Sequence, residues 1–174
     1  MMNRFTNLQI IRAIIAFFMV ALVVSGATAF PVESELKLLC SIFHIDENTV
    51  DGMPAISRFV YDMKEAIVET NQNHPQIAYG FDWLAFAHLV IAGIFVGPFI
   101  DPVRNKFVIY WGMFACVAIL PLAFICGPIR DIPFYWTLID CSFGVFGIIP
   151  LLICLKYIKR LEQEQKEVRV SAEE

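Results

Sequence analysis

FVIYWGMFACVAILPLAFIC, residues Phe107–Cys126, is a run of apolar and small side chains with no Asp, Glu, Lys, Arg or His. A helix of about 20 such residues crosses the hydrocarbon core of a bilayer. Inside water the same helix would need every face covered by protein. The chain around it has little with which to cover them: 58% of its 174 residues are hydrophobic, 17% are charged, and sixteen are Phe. Ordinary soluble domains carry roughly 25% charged residues. Lipid resolves the mismatch, because apolar side chains then face a matching solvent while the helix satisfies its own backbone.

Three further stretches read the same way: Ala13–Phe30, Tyr79–Ile100 and Phe134–Tyr157. Only Asp101–Lys106 and Gly127–Pro133 separate the second, third and fourth spans, so consecutive helices are expected to be antiparallel neighbours. Gly97-Pro98 with Asp101-Pro102, and Gly127-Pro128 with Asp131 and Pro133, combine helix-stopping residues with an Asp that can cap the next helix. The expected fold is all-α, a four-helix transmembrane bundle with a small extracytoplasmic helical cap. Residues 1–174 are expected to form a single membrane domain, with the outer segment at 31–78 and a tail at 158–174.

Charge sets the orientation. Arg4, Arg12, Arg104, Lys106, Lys156, Lys159, Arg160, Lys166 and Arg169 fall on one side, against Lys37, Arg58, Lys64 and Arg130 on the other. The positive-inside rule therefore puts both termini in the cytoplasm. A rival reading treats Ala13–Val24 as the core of a signal peptide, with Ala27-Thr28-Ala29 as its cleavage site. Retention as a span is the expectation adopted.

The outer segment holds two helical patterns. Glu33–Phe43 opens with acidic residues, suited to a helix N-terminus, and groups Leu36, Leu39 and Phe43. Pro54–Glu69 repeats Ile56, Phe59, Val60, Met63 and Ile67 at helical spacing, with Arg58 four residues before Asp62 on the polar face. Asn71–Pro75 ends it, and the tail beyond Tyr157 extends the last helix before fraying at Val170–Glu174. The segment is too small to fold alone, so its apolar stripes need the membrane surface, the mouth of the bundle or another protein.

Titratable groups at lipid depth are costly and mark sites to consider first. His88 lies in the second span and Asp140 in the fourth, each about 10 Å below the outer boundary at 1.5 Å per residue. Ser25, Thr28, Cys141 and Ser142 fall in the same outer half, and Asp82 stands nearer the rim. A His–carboxylate contact would lessen the desolvation cost of both groups, either as a packing clip or as a proton or ligand site. Arg12, Asp101, Arg104 and Lys106 gather at the inner boundary, where snorkelling and head-group contact are expected. Arg130 and Asp131 sit at the outer mouth. Gly144 and Gly147 permit close helix approach, and Pro98, Pro121 and Pro150 permit bends.

Specific chemistries are poorly served. No Cys-x-x-Cys, Walker, Gly-x-Ser-x-Gly or His-Glu-x-x-His motif occurs. The five Cys lie mostly in apolar helices, where a thiol behaves as a small hydrophobe. A membrane b-type haem needs axial ligands, and only His88 lies within a span; His74 sits just outside and His44 stands apart. His88, Asp140 and Cys141 lack a metal-ligand spacing, so no metal is assigned and the cofactor is left unknown. No basic, aromatic-interleaved patch suits a nucleic acid.

The stretches Ser25–Pro31, Phe81–His88, Asp101–Asn105 and Ile139–Gly144 resemble those of an uncharacterised bacterial family of small four-span integral membrane proteins. The resemblance covers most of Ile11–Leu161 and implies a bacterial inner-membrane setting, but no activity. Membrane lipid, a membrane protein partner and a second copy of the chain are the partners to expect. The leading reading is a non-enzymatic module binding a protein, lipid or small ligand through its outer cap and cavity. The alternative is a membrane oxidoreductase or hydrolase using the His88 and Asp140 groups.

Overall fold

The computed structural model describes residues 6–173; Arg4, which enters the charge count, and Glu174 lie outside them. The chain is 86% helical, and no strand occurs among the described residues. Seven α-helices follow one another: α1 (Asn7–Ala29), α2 (Val32–Ile42), α3 (Ala55–Asn73), α4 (Pro75–Ile94), α5 (Val96–Ile100), α6 (Lys106–Ile129) and α7 (Phe134–Glu173). A short 3-10 turn at Val50–Gly52 precedes α3. Four helical stretches are long and apolar enough to cross a membrane: α1, α4 with α5, α6, and α7. Their outward faces are those of lipid-solvated helices, with Phe107 72% and Phe146 71% exposed. Packing groups the described residues into two compact units, residues 22–91 and the residues up to 21 with those from 92 onward.

In the first unit, residues 22–91, α1 meets α4 at Gly26. A Cβ there would lie 2.8 Å from the Ala85 carbonyl oxygen and 2.9 Å from His88 Cβ, so only glycine admits this approach. Further on, Asn71 Nδ2 of α3 donates to Glu33 Oε2 of α2 at 2.6 Å. Beyond that, Cys40, Ile45 and Val50 form a small core packed by Met53, Val60 and Tyr61. As the position on α1 and α2 rises from 26 through 33 to 40, its partner falls from 88 and 85 through 71 to 61 and 60. One antiparallel hairpin therefore runs from α1–α4 into α2–α3.

Both helical legs of this hairpin are interrupted at facing positions. Pro31 cannot donate to the carbonyl four residues back, and it sits at φ −92°, ψ 41° between α1 and α2. His74, forced out of the helical region by Pro75, sits at φ −140°, ψ 59° between α3 and α4. The tip is fastened locally: Asp46 Oδ1 accepts from the Asn48 and Thr49 backbone N–H groups at 2.9 and 3.0 Å. Thr49 Oγ1 donates to the His44 carbonyl at 2.9 Å, holding His44 at φ 52°.

One expectation for this segment, the pairing of Arg58 with Asp62, changes. The buried position of α2 is Cys40, whereas Leu39 and Phe43 are exposed, because the loop folds Ile45 and Val50 back onto the Cys40 face. Arg58 turns away from Asp62: its Nη2 donates to the Asp51 carbonyl at 3.0 Å, with the Asp51 carboxylate at 3.4 Å.

In the second unit, α6 and α7 pack antiparallel along a seam of small residues. Gly127 opposes Thr137, Cys116 opposes Gly144, Gly112 opposes Leu151, and Lys106 pairs with Glu162 at 2.9 Å. The first part of α1 joins them. Phe18 lies 4.9 Å from Phe95 between ring centroids, and Asn7 Nδ2 donates to Glu164 at 2.6 Å. Ile11, Ile15, Ile109, Leu151, Cys154 and Ile158 are wholly buried.

Pro98 explains the interruption between α4 and α5, since its ring displaces the carbonyl of Ile94, the last residue of α4. Neither connecting Asp caps the helix after it. Asp101 Oδ1 braces its own turn, accepting from Arg104 N at 3.0 Å, and Asp131 supplies a left-handed residue at φ 54°. The last helix does not fray at Val170 but continues through Glu173.

Candidate functional site

His88 is placed by α4 on the face that meets α1, one turn beyond Ala85 and against the space left by Gly26. Its Nδ1 lies 2.8 Å from the Leu84 carbonyl oxygen. A carbonyl only accepts, so Nδ1 donates a proton in this contact. The half-buried imidazole is thus fixed in orientation by its own helix.

The other groups of this unit stand apart from it. Asp82 is exposed, about 120° away around α4. Ser25 is exposed on α1, and Thr28 Oγ1 donates back to its carbonyl at 3.1 Å, which ties Thr28 to the helix instead of to His88.

An open hollow of about 340 Å³ near the hairpin tip is lined by Lys37, Cys40, Ser41, His44, Ile45, Asp46 and Lys64. Its charges are already engaged. Lys37 pairs with Glu33, and Lys64 pairs with Glu65 at 2.6 Å while resting over the Tyr61 ring at 4.2 Å. The Glu65 hydrogen bond holds the Lys64 ammonium above its ordinary range, and bonds from Lys37 and then Asn71 hold the Glu33 carboxyl below its own. Of these bonds, the one from Asn71 to Glu33 ties α3 to α2.

Asp140 belongs to the second unit. It is half-buried in α7 and has no hydrogen-bond partner among the described residues. Its neighbours turn elsewhere: Cys141 is buried, and Ser142 Oγ donates to the Ile139 carbonyl at 2.6 Å.

At the boundary positions the structure adds what residue types alone did not signal. Arg12 Nε donates to the Phe99 carbonyl at 3.1 Å and Nη2 to the Ile100 carbonyl at 3.4 Å, with the guanidinium 5.8 Å from the Phe99 ring centroid. It closes the C-terminus of α5, whose last carbonyls have no partner further along the helix. Asn105 Nδ2 reaches both the Gly97 and Asp101 carbonyls, at 3.1 and 2.9 Å, latching the same turn. Arg104, Arg130 and Asp131 are exposed.

Chemically, the arrangement offers an oriented imidazole in one unit and, in the other, the half-buried Asp140 carboxyl without a hydrogen-bond partner among the described residues. Among the described residues, no three His, Cys, Asp or Glu side chains converge as metal ligands would. Compared with family models, curated proteins and solved structures, the chain matches none.

Proposed function

We propose that this chain is a non-enzymatic, multi-pass binding module of the bacterial inner membrane, with both termini cytoplasmic and the α2–α3 arm outside. The observation that carries the reading is the apolar face of α2. Leu38, Leu39 and Ile42, with Phe43 just after them, are all exposed on a helix of 11 residues, far too short to span a bilayer. The arm is held shut by its own core and the Asn71–Glu33 hydrogen bond, so this face is left over after folding. A contiguous apolar face of that kind marks a contact surface. The occupant favoured is a membrane protein partner, since the arm continues the α1–α4 hairpin beyond the apolar spans. The bacterial setting rests on the family resemblance, and the orientation on the Lys and Arg distribution.

A photo-crosslinking residue at Ile42 in cells of the native host tests the reading. A discrete protein adduct at Ile42, absent when the crosslinker stands at Asp62 and lost on Leu38→Ser with Phe43→Ser, is the expected result. Adducts to lipid alone would remove the protein-partner reading. A haem or flavin absorption band in the purified protein would favour an enzyme built on His88 or Asp140 instead.

A further inference from the structure

The outward face of α7 changes character at one level. Val145, Phe146, Ile149, Leu152 and Ile153 are exposed apolar side chains, and Lys156, Lys159 and Arg160 continue the same side of the helix. The opposite side carries Cys154 and Ile158, both wholly buried, so the three cations point away from the protein. Lys106 is engaged by Glu162, but Lys156, Lys159 and Arg160 make no ion pair among the described residues. Arg160 is braced on its own helix, its guanidinium 5.4 Å from the Tyr157 ring centroid.

An aromatic marker on the neighbouring helix stands about one turn from this change, on its apolar side. Phe107, Trp111 and Phe114 form a ladder on α6, with centroid separations of 6.3 and 5.0 Å, and all three are exposed. The contacts of Gly112 with Leu151 and of Lys106 with Glu162 bracket Trp111 and Lys156 between the same two crossings. Exposed Trp marks the head-group level of a bilayer. An acyl chain lying on Phe146, Ile149 and Ile153 therefore carries its phosphate to the ammonium and guanidinium groups just beyond.

We infer that Lys156, Lys159 and Arg160 form a seat for an anionic phospholipid, continuous with the lipid-facing surface of α7. The recognised group is a phosphodiester carrying net negative charge, held by charge-assisted hydrogen bonds. A zwitterionic head group brings its own cation and gains less. Each basic residue at an anionic surface is worth about a fivefold change in binding, so three together are worth on the order of a hundredfold.

Native mass spectrometry of the full chain, extracted in mild detergent and given phosphatidylglycerol or phosphatidylcholine, tests the seat. The expected result is retention of phosphatidylglycerol over phosphatidylcholine, weakened by salt and lost in K156Q/K159Q/R160Q. K166Q/R169Q, with the substitutions further along the same helix, should retain it. Inorganic phosphate supplied alone should not displace the lipid, because it lacks the acyl contact. Equal retention of the two lipids, or unchanged retention in the triple variant with helicity and melting preserved, would overturn the proposal. Retention of a protein in place of lipid, lost in the triple variant, would also overturn it.

Discussion

The backbone of Gly144 in α7 passes against the carbonyl oxygen of Cys116 in α6, so close that a Cβ on residue 144 would overlap that oxygen. Backbone cannot swing aside as a side-chain tip can. Gly144→Ala is expected to force α6 and α7 apart and cost about 1–3 kcal/mol, the range for overpacking a tight contact. Gly93→Ala is the control, since nothing lies within 4 Å of its Cβ position. Alanine there should be neutral or add about 0.5–1 kcal/mol by removing a glycine from a helix. Thermal unfolding in detergent compares the two. Equal melting temperatures would show that the α6–α7 approach is not limiting.

Removing the Arg12 guanidinium should open the end of α5. Arg12→Leu keeps the stem but abandons the Phe99 and Ile100 carbonyls, and hydrogen bonds from a charged donor are worth about 1.5–3 kcal/mol. Arg12→Lys should recover part of the loss, because a single ammonium cannot span two carbonyls as a planar fork does. Amide exchange across Phe99–Asn105 is the readout. Protection equal to wild type in Arg12→Leu would mean that Asn105 alone holds the turn.

Acid should loosen the arm through Glu33. Hydrogen bonds from Lys37, then from Asn71, hold its carboxyl below the ordinary 4.5. A group whose folded value is depressed adds stability that is complete above its unfolded value and is lost as pH falls through the folded one. Amide exchange in α2 and in the facing turns of α3 should therefore rise as pH drops through and below the carboxylate range. In Glu33→Gln that increment should be missing, since the amide does not titrate. Identical acid profiles for the two proteins would rule Glu33 out as the source.

The spans were legible because lipid imposes a demand that composition alone can meet or fail, and Phe107–Cys126 meets it without a charge. The short connections and the breaking power of Pro98 were legible for similarly local reasons. The face that α2 buries was not. A helix of 11 residues offers too few turns for its periodicity to decide, and the loop that returns Ile45 and Val50 to Cys40 decides instead. Arg58 illustrates the same limit: an i, i+4 partner was present in Asp62, yet the turn before α3 offered a carbonyl and a carboxylate together. His88 stood out as a lone imidazole in an apolar run. Its approach to Gly26 was signalled only by the small residues Ser25-Gly26-Ala27, a weak cue in any membrane helix.

The unbroken length of α7 has a mechanical consequence. Its 40 residues make a rod of about 60 Å, roughly twice the thickness of a bilayer's hydrocarbon core. The part beyond Tyr157 projects about 24 Å, and a tilt of about 10° at the bilayer moves its far end by about 4 Å. A small rotation of a lipid-embedded segment is thereby converted into a displacement as wide as a side chain. Anything grasping residues beyond 160 would feel the angle at which this helix leans.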